Sequence, residues 1–158
     1  MKITRREFFT KTIQGAAIMA VPAVLGSVLE SCNQANPSIP STAAGLATIN
    51  VTSNNNTIVL DINSSSPLAN VGSAALVQFQ NGALLVDRPV KDSFNALSSI
   101  CTHQGCTVSE YDGPSQQFIC PCHGSRFSSS GQVTQGPAGT PLTSYQTQFS
   151  NNQLIIKI

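Results

Sequence analysis

The sequence predicts an all-β domain over residues 47–158, an antiparallel sandwich or small barrel, preceded by an N-terminal segment of different character. Three observations lead there. No stretch after residue 46 sustains the apolar period of about 3.6 residues that an amphipathic helix requires. Apolar, β-branched and aromatic residues come instead in short runs, some of them alternating, as in Tyr145, Thr147 and Phe149. Turn pairs separate such runs: Asn81-Gly82 and Asn151-Asn152 both tolerate the positive φ that tight hairpins demand.

The elements follow in chain order. Residues 1–31 read as an export signal or membrane anchor. Thr4-Arg5-Arg6-Glu7-Phe8-Phe9 resembles a twin-arginine translocation signal, and an apolar run extends from Ile13 to Leu29. That route carries proteins that are already folded. Leu29-Glu30-Ser31-Cys32 resembles a bacterial lipobox, with Cys32 the candidate lipidation site. The glutamate two places before the cysteine is atypical of such a box. The rival is an uncleaved helix: its seventeen residues would reach about 25 Å, short of the ~30 Å hydrocarbon core, and Pro22 interrupts it. A freely soluble product is the third outcome. Residues 32–46, rich in Pro, Ser, Ala and Asn, read as a flexible tether.

Strands are then expected around Ile49 and Val51, over Thr57–Ile62 after the turn Ser53–Asn56, and over Ala74–Phe79 and Ala83–Val86 on either side of Asn81-Gly82. Phe94–Ile100 and Gln117–Ile119 each run directly into a cysteine. Tyr145–Phe149 and Leu154–Ile158 close the chain as a hairpin.

Charged residues make up only 9% of the chain, and its formal net charge is +1. Lys2, Arg5, Arg6 and Lys11 crowd the N-terminus, which leaves the remainder near neutral. No clustered basic face exists, so nucleic-acid binding is excluded. Four of the five cysteines and both histidines lie between positions 101 and 123. Cys101-Thr-His-Gln-Gly-Cys106 and Cys120-Pro-Cys-His-Gly-Ser125 each follow a strand and contain glycine, so each is expected to form a tight loop at a sheet end. Two thiolates and two imidazoles also suit tetrahedral zinc, and that alternative is open on residue types alone. Haem c is excluded, because Cys120-Pro-Cys-His lacks one residue of C-x-x-C-H.

The spacing C-x-H, sixteen residues, C-x-x-H resembles the Rieske iron–sulfur family over roughly residues 48–158. The resemblance implies the Rieske-type fold and one [2Fe–2S] cluster, with Cys101 and Cys120 on one iron and His103 and His123 on the other. It implies a disulfide between Cys106 and Cys122, as in the high-potential members, which an oxidising compartment permits. Ser125 matches the serine that donates a hydrogen bond to a cluster sulfide. Phe127 stands where many respiratory members have a tyrosine donating to a ligand sulfur, which implies a lower potential than in members with both donors. Gly136-Pro137-Ala138-Gly139-Thr140-Pro141 resembles the family's proline loop, which covers the cluster's third side.

Imidazoles in place of two thiolates remove negative charge and ease reduction, to about −150 to +300 mV in such centres. An imidazole's second nitrogen can hold or release a proton as the iron changes charge, as quinol oxidation requires. A ring-hydroxylating oxygenase subunit is excluded, since its mononuclear iron needs two further histidines and the chain has only two. The chain is thus expected to move single electrons without being a catalyst alone. Its expected place is the periplasm or outer face of a bacterial cytoplasmic membrane. Expected partners are cytochrome b with quinol and a c-type cytochrome, or alternatively the molybdopterin subunit of an exported oxidase resembling arsenite oxidase. A standalone periplasmic ferredoxin is the remaining alternative.

Overall fold

The computed structural model describes residues 43–158. The arginine pair, the apolar run and Cys32 lie outside the described residues. Twelve strands are present among them: β1 (Ala44–Gly45), β2 (Ala47–Asn50), β3 (Thr57–Asp61), β4 (Ala74–Phe79), β5 (Gly82–Val90), β6 (Ser93–Ser98), β7 (Glu110–Asp112), β8 (Gln117–Ile119), β9 (Arg126–Ser128), β10 (Val133–Gln135), β11 (Ser144–Ser150) and β12 (Gln153–Lys157). None of the described residues is helical, so none forms a helix long and apolar enough to cross a membrane.

Two sheets result. A seven-stranded base sheet runs β2-β4-β5-β6-β11-β12-β3, and a five-stranded sheet runs β1-β7-β8-β9-β10. The base sheet curls until residues of its two edge strands, Ile49 of β2 and Val59 and Leu60 of β3, line one cavity of about 360 Å³. Closure stops there, because no hydrogen-bond ladder joins β2 to β3. The architecture is a sandwich whose larger layer is a barrel with an open seam.

Asparagines make the tight turns. Asn151 and Asn152 have φ of 51° and 61° between the paired Ser150 and Gln153, and Asn55 and Asn56 have 47° and 58° between the bridged Asn54 and Thr57. Positive φ at both central positions matches the right-handed twist of the flanking strands. Three expectations need correction. The β4–β5 hairpin turns on Gln80-Asn81 rather than Asn81-Gly82, because Gly82 already pairs with Phe79. The sheets are not wholly antiparallel: β2 runs parallel to β4, since the intervening β3 crosses to the far edge of the base sheet. The stretch read as tether joins the fold before residue 46, with Ala44 paired to Tyr111 and Gly45 to Glu110.

Each layer has its own apolar core. Ile58, Leu60, Leu84, Val86, Leu154 and Ile156 fill the inside of the base sheet. Arg88 seals this core at one end. Its guanidinium lies 5.2 Å from the centroid of Phe94 and 5.9 Å from that of Phe149, and it donates to the carbonyls of Leu68 and Ala69. Leu85, Leu97, Val108, Phe118 and Phe127 form the second core between the sheets, together with Cys101 and Cys120. Phe118 and Phe127 are cross-strand partners, each wholly buried. Burial of that size stabilises by about 1.5–3 kcal/mol per side chain. Their packing sets the height of the two loops above.

Candidate metal centre

The two cysteine–histidine loops share one backbone plan. In the first, the Cys101 N–H donates to the carbonyl of Cys106 (2.8 Å) and the Gly105 N–H to that of Cys101 (2.9 Å). In the second, the Cys120 N–H donates to Ser125 (2.9 Å) and the Gly124 N–H to Cys120 (3.0 Å). Each loop thus closes over six residues, and the reversal falls at a glycine with φ of 76° or 74°. That conformation costs an L-residue with a side chain roughly 1 kcal/mol or more. The repeated glycine is therefore a requirement of the loop and not a spacer.

This plan sorts the side chains by depth. Cys101 and Cys120 are 2% and 1% exposed, sunk into the inter-sheet core. His103 is half-buried and His123 exposed. The two rings meet edge to face, with centroids 4.8 Å apart. The two loops thus offer two buried sulfurs and two paired, more exposed imidazoles, the donor types of a mixed-ligand centre. Two further observations fit a cation between them. His103 Nδ1 is buried and has no hydrogen-bond partner, an expensive condition for a ring nitrogen unless it holds a metal. Burial pushes the Cys120 thiol up; the Cys122 backbone opposes this, and the adjacent Cys101 sulfur adds to it. Positive charge between the sulfurs would reverse that logic and keep both as thiolates.

Cys106 and Cys122 form a disulfide, with Cα atoms 6.5 Å apart. It ties the first loop to the second, and the sulfurs of Cys106, Cys122 and Cys120 all lie within 4.8 Å of one another. Cys101 and Cys120 are the two free cysteines among the described residues.

The segment Gly136–Pro141 forms a third wall. The Ala138 N–H donates to the buried Ser125 Oγ (3.0 Å), Thr102 Oγ1 to the Thr140 carbonyl (2.7 Å), and Gln135 Nε2 to the Gly124 carbonyl (3.3 Å). Ser125 accepts in this contact, so its own hydroxyl proton is free to be given elsewhere. The Gly136-Pro137 bond is cis. Phe127 has no exposed surface and contributes no polar atom to the centre. Sequence reasoning missed Thr102 and Gln135 as fasteners of the third wall. A threonine between two proposed ligands was the available signal for Thr102; nothing in the sequence marks Gln135.

Residues 99–107, 120–125 and 134–141 contain no Asp, Glu, Lys or Arg. The end of the molecule that carries both imidazoles is therefore uncharged in its side chains, apart from whatever the centre holds.

Comparison with known proteins agrees with this geometry. A family model described as Rieske [2Fe–2S] domain matches residues 60–146, more than half the chain. The chain is 31% identical over 87 residues to the cytochrome b6-f complex iron–sulfur subunit of Chlorobaculum tepidum, covering 55% of this chain and 47% of that one. It is 34% identical over 101 residues to the subunit of the same name from Synechococcus sp., covering 61% and 56%. The chain thus spans about half the length of the curated relatives it matches. Among solved structures, the ferredoxin of carbazole 1,9a-dioxygenase from Nocardioides aromaticivorans is similar in fold, with a TM-score of 0.51, 20% identity, and coverage of 63% of this chain and 96% of that one. A disulfide between the loops, two buried free cysteines, a pair of imidazoles and a matching family model converge: the chain belongs to the Rieske [2Fe–2S] domain family, in its disulfide-containing form.

Proposed function

We propose that this protein is the one-electron iron–sulfur subunit of a quinol:cytochrome c oxidoreductase-type complex. In this reading Cys101 and Cys120 hold one iron, and His103 and His123 hold the other. The observation that supports the ligand set is the unpartnered, buried Nδ1 of His103, together with the two buried free cysteines. The cofactor supplies a one-electron couple; the chain's own residues shape where that couple is reached. Buried cysteines and walls of Thr102, Gln135 and Ala138 keep water from the sulfur side. The exposed His123 leaves an edge that a partner can approach and a nitrogen that can take or give a proton. The relatives named as subunits of cytochrome b6-f complexes support a cytochrome-containing partner. The arginine pair at Arg5-Arg6 supports export, with attachment to the outer membrane face through the N-terminal segment or a lipid on Cys32.

The ligand set is tested by electron paramagnetic resonance of the reduced protein. The expected outcome is the spectrum of a mixed nitrogen–sulfur binuclear centre, lost in His103→Ala and His123→Ala. A colourless protein after anaerobic iron and sulfide loading, or an intact spectrum in either variant, refutes it. The parent complex is tested by affinity capture from solubilised membranes: co-purifying cytochrome b supports it, and a molybdopterin subunit in its place overturns it.

A further inference from the structure

Outside the cysteine–histidine loops, one carboxyl is buried at the junction of the two sheets. Asp87 lies on β5 of the base sheet and has no exposed surface. No cation pairs with it among the described residues. Asn95 Nδ2 on β6 donates to its Oδ1 (3.0 Å). Ser129, which follows β9 of the smaller sheet, places its Oγ within hydrogen-bond distance of Oδ2 and also 3.3 Å from the carbonyl of Gln116.

A serine hydroxyl has one proton to give. With an ionised Asp87 that proton goes to Oδ2, and the Gln116 carbonyl receives nothing from Ser129. With a neutral Asp87 the acid O–H donates to Ser129 Oγ, the serine donates onward to Gln116, and Asn95 still serves Oδ1. Only the neutral acid turns all three contacts into hydrogen bonds. We propose that Asp87 is a proton-binding site, whose neutral acid form relays through Ser129 to Gln116 and fastens the smaller sheet to the base sheet.

The neighbours carry no positive charge to the carboxyl. Tyr111 faces it from β7, its hydroxyl pushed up to about 12, first by burial and then by Asp87. It offers a neutral dipole and no positive charge. Asp112, next on β7, adds only negative charge and pairs with Arg126 at 3.8 Å. Arg88 follows Asp87 in the chain but is turned away onto Phe94, Phe149 and the carbonyls of Leu68 and Ala69. Burial raises the Asp87 carboxyl and outweighs the bonds from Ser129, Asn95, Tyr111 and the backbone, which oppose that rise. Gln116 Nε2 also donates to the Pro89 carbonyl (3.3 Å), a second tie along the same seam.

The sign of the pH dependence follows. The unfolded chain loses this proton near 3.8, the ordinary aspartate value, whereas the folded chain keeps it to higher pH. Stability contributed by the site is full below the unfolded value, falls as pH rises toward the folded value, and is flat above it. One proton changes the unfolding constant by at most about tenfold per pH unit within that window.

The test uses the full chain with its cluster. Infrared spectra collected from about pH 8 down to about pH 4, wild type minus Asp87→Asn, are expected to show the C=O stretch of one carboxyl that takes its proton above the ordinary aspartate range. Urea midpoints from about pH 4 to about pH 8 are expected to fall with pH more steeply in the wild type than in Asp87→Asn, whose amide can donate to Ser129 at every pH. Absence of the protonated-carboxyl band, or parallel pH profiles for the two proteins, overturns the proposal. The infrared measurement on wild type alone, read by its shift on deuteration, still decides if the variant does not fold.

Discussion

Replacing Phe127 by tyrosine inserts one hydroxyl where no water reaches. Phe127 is wholly buried on β9, opposite Phe118 and Val133, in the core that also holds Cys101 and Cys120. The new hydroxyl therefore either donates to a ligand sulfur or is stranded. A hydrogen bond to a charged acceptor is worth about 1.5–3 kcal/mol, and only the part that strengthens on reduction moves the potential. If that part is about 1 kcal/mol, the potential rises by about 40 mV, since 59 mV is a factor of ten for one electron. Stability should then change little. A stranded hydroxyl would cost about 1–3 kcal/mol of stability and leave the potential where it was. Protein-film voltammetry and urea unfolding on the same preparations separate the two cases. A potential unchanged or lowered in Phe127→Tyr refutes the reasoning.

Two further predictions concern the loops. Cys122→Ala opens a bridge that closes sixteen positions of chain and should destabilise the domain by about 3 kcal/mol, read as a lower urea midpoint together with faster bleaching of the cluster's visible absorption; an unchanged bleaching rate would show that the bridge does not brace the centre. Ser125→Ala removes the acceptor of the Ala138 N–H and, if the serine serves the centre as the family resemblance implies, a donor to it, so it should cost about 1 kcal/mol of stability and lower the potential; a potential equal to wild type in titrations would mean the serine serves the wall alone.

The local features were legible from residues. Asparagine pairs announced the turns at Asn55-Asn56 and Asn151-Asn152, because tolerance of positive φ is a property of the residue itself. The family was legible because the paired C-x-H and C-x-x-H spacing belongs to few families. The smaller sheet was largely hidden. β7, β8, β9 and β10 are three residues each, too short to display an alternation, and only β8 had been expected.

The residues by themselves determined a β-rich chain, the turns at its asparagine pairs and its family, since each of these follows from side-chain chemistry or from neighbours within a few positions. Folding alone decided that β2 lies parallel to β4, that Thr102 and Gln135 hold the third wall, and that Asp87 meets Ser129 across 42 positions of chain. Those encounters depend on how two sheets are stacked, and no local pattern encodes which buried polar groups will find each other once the apolar faces have closed.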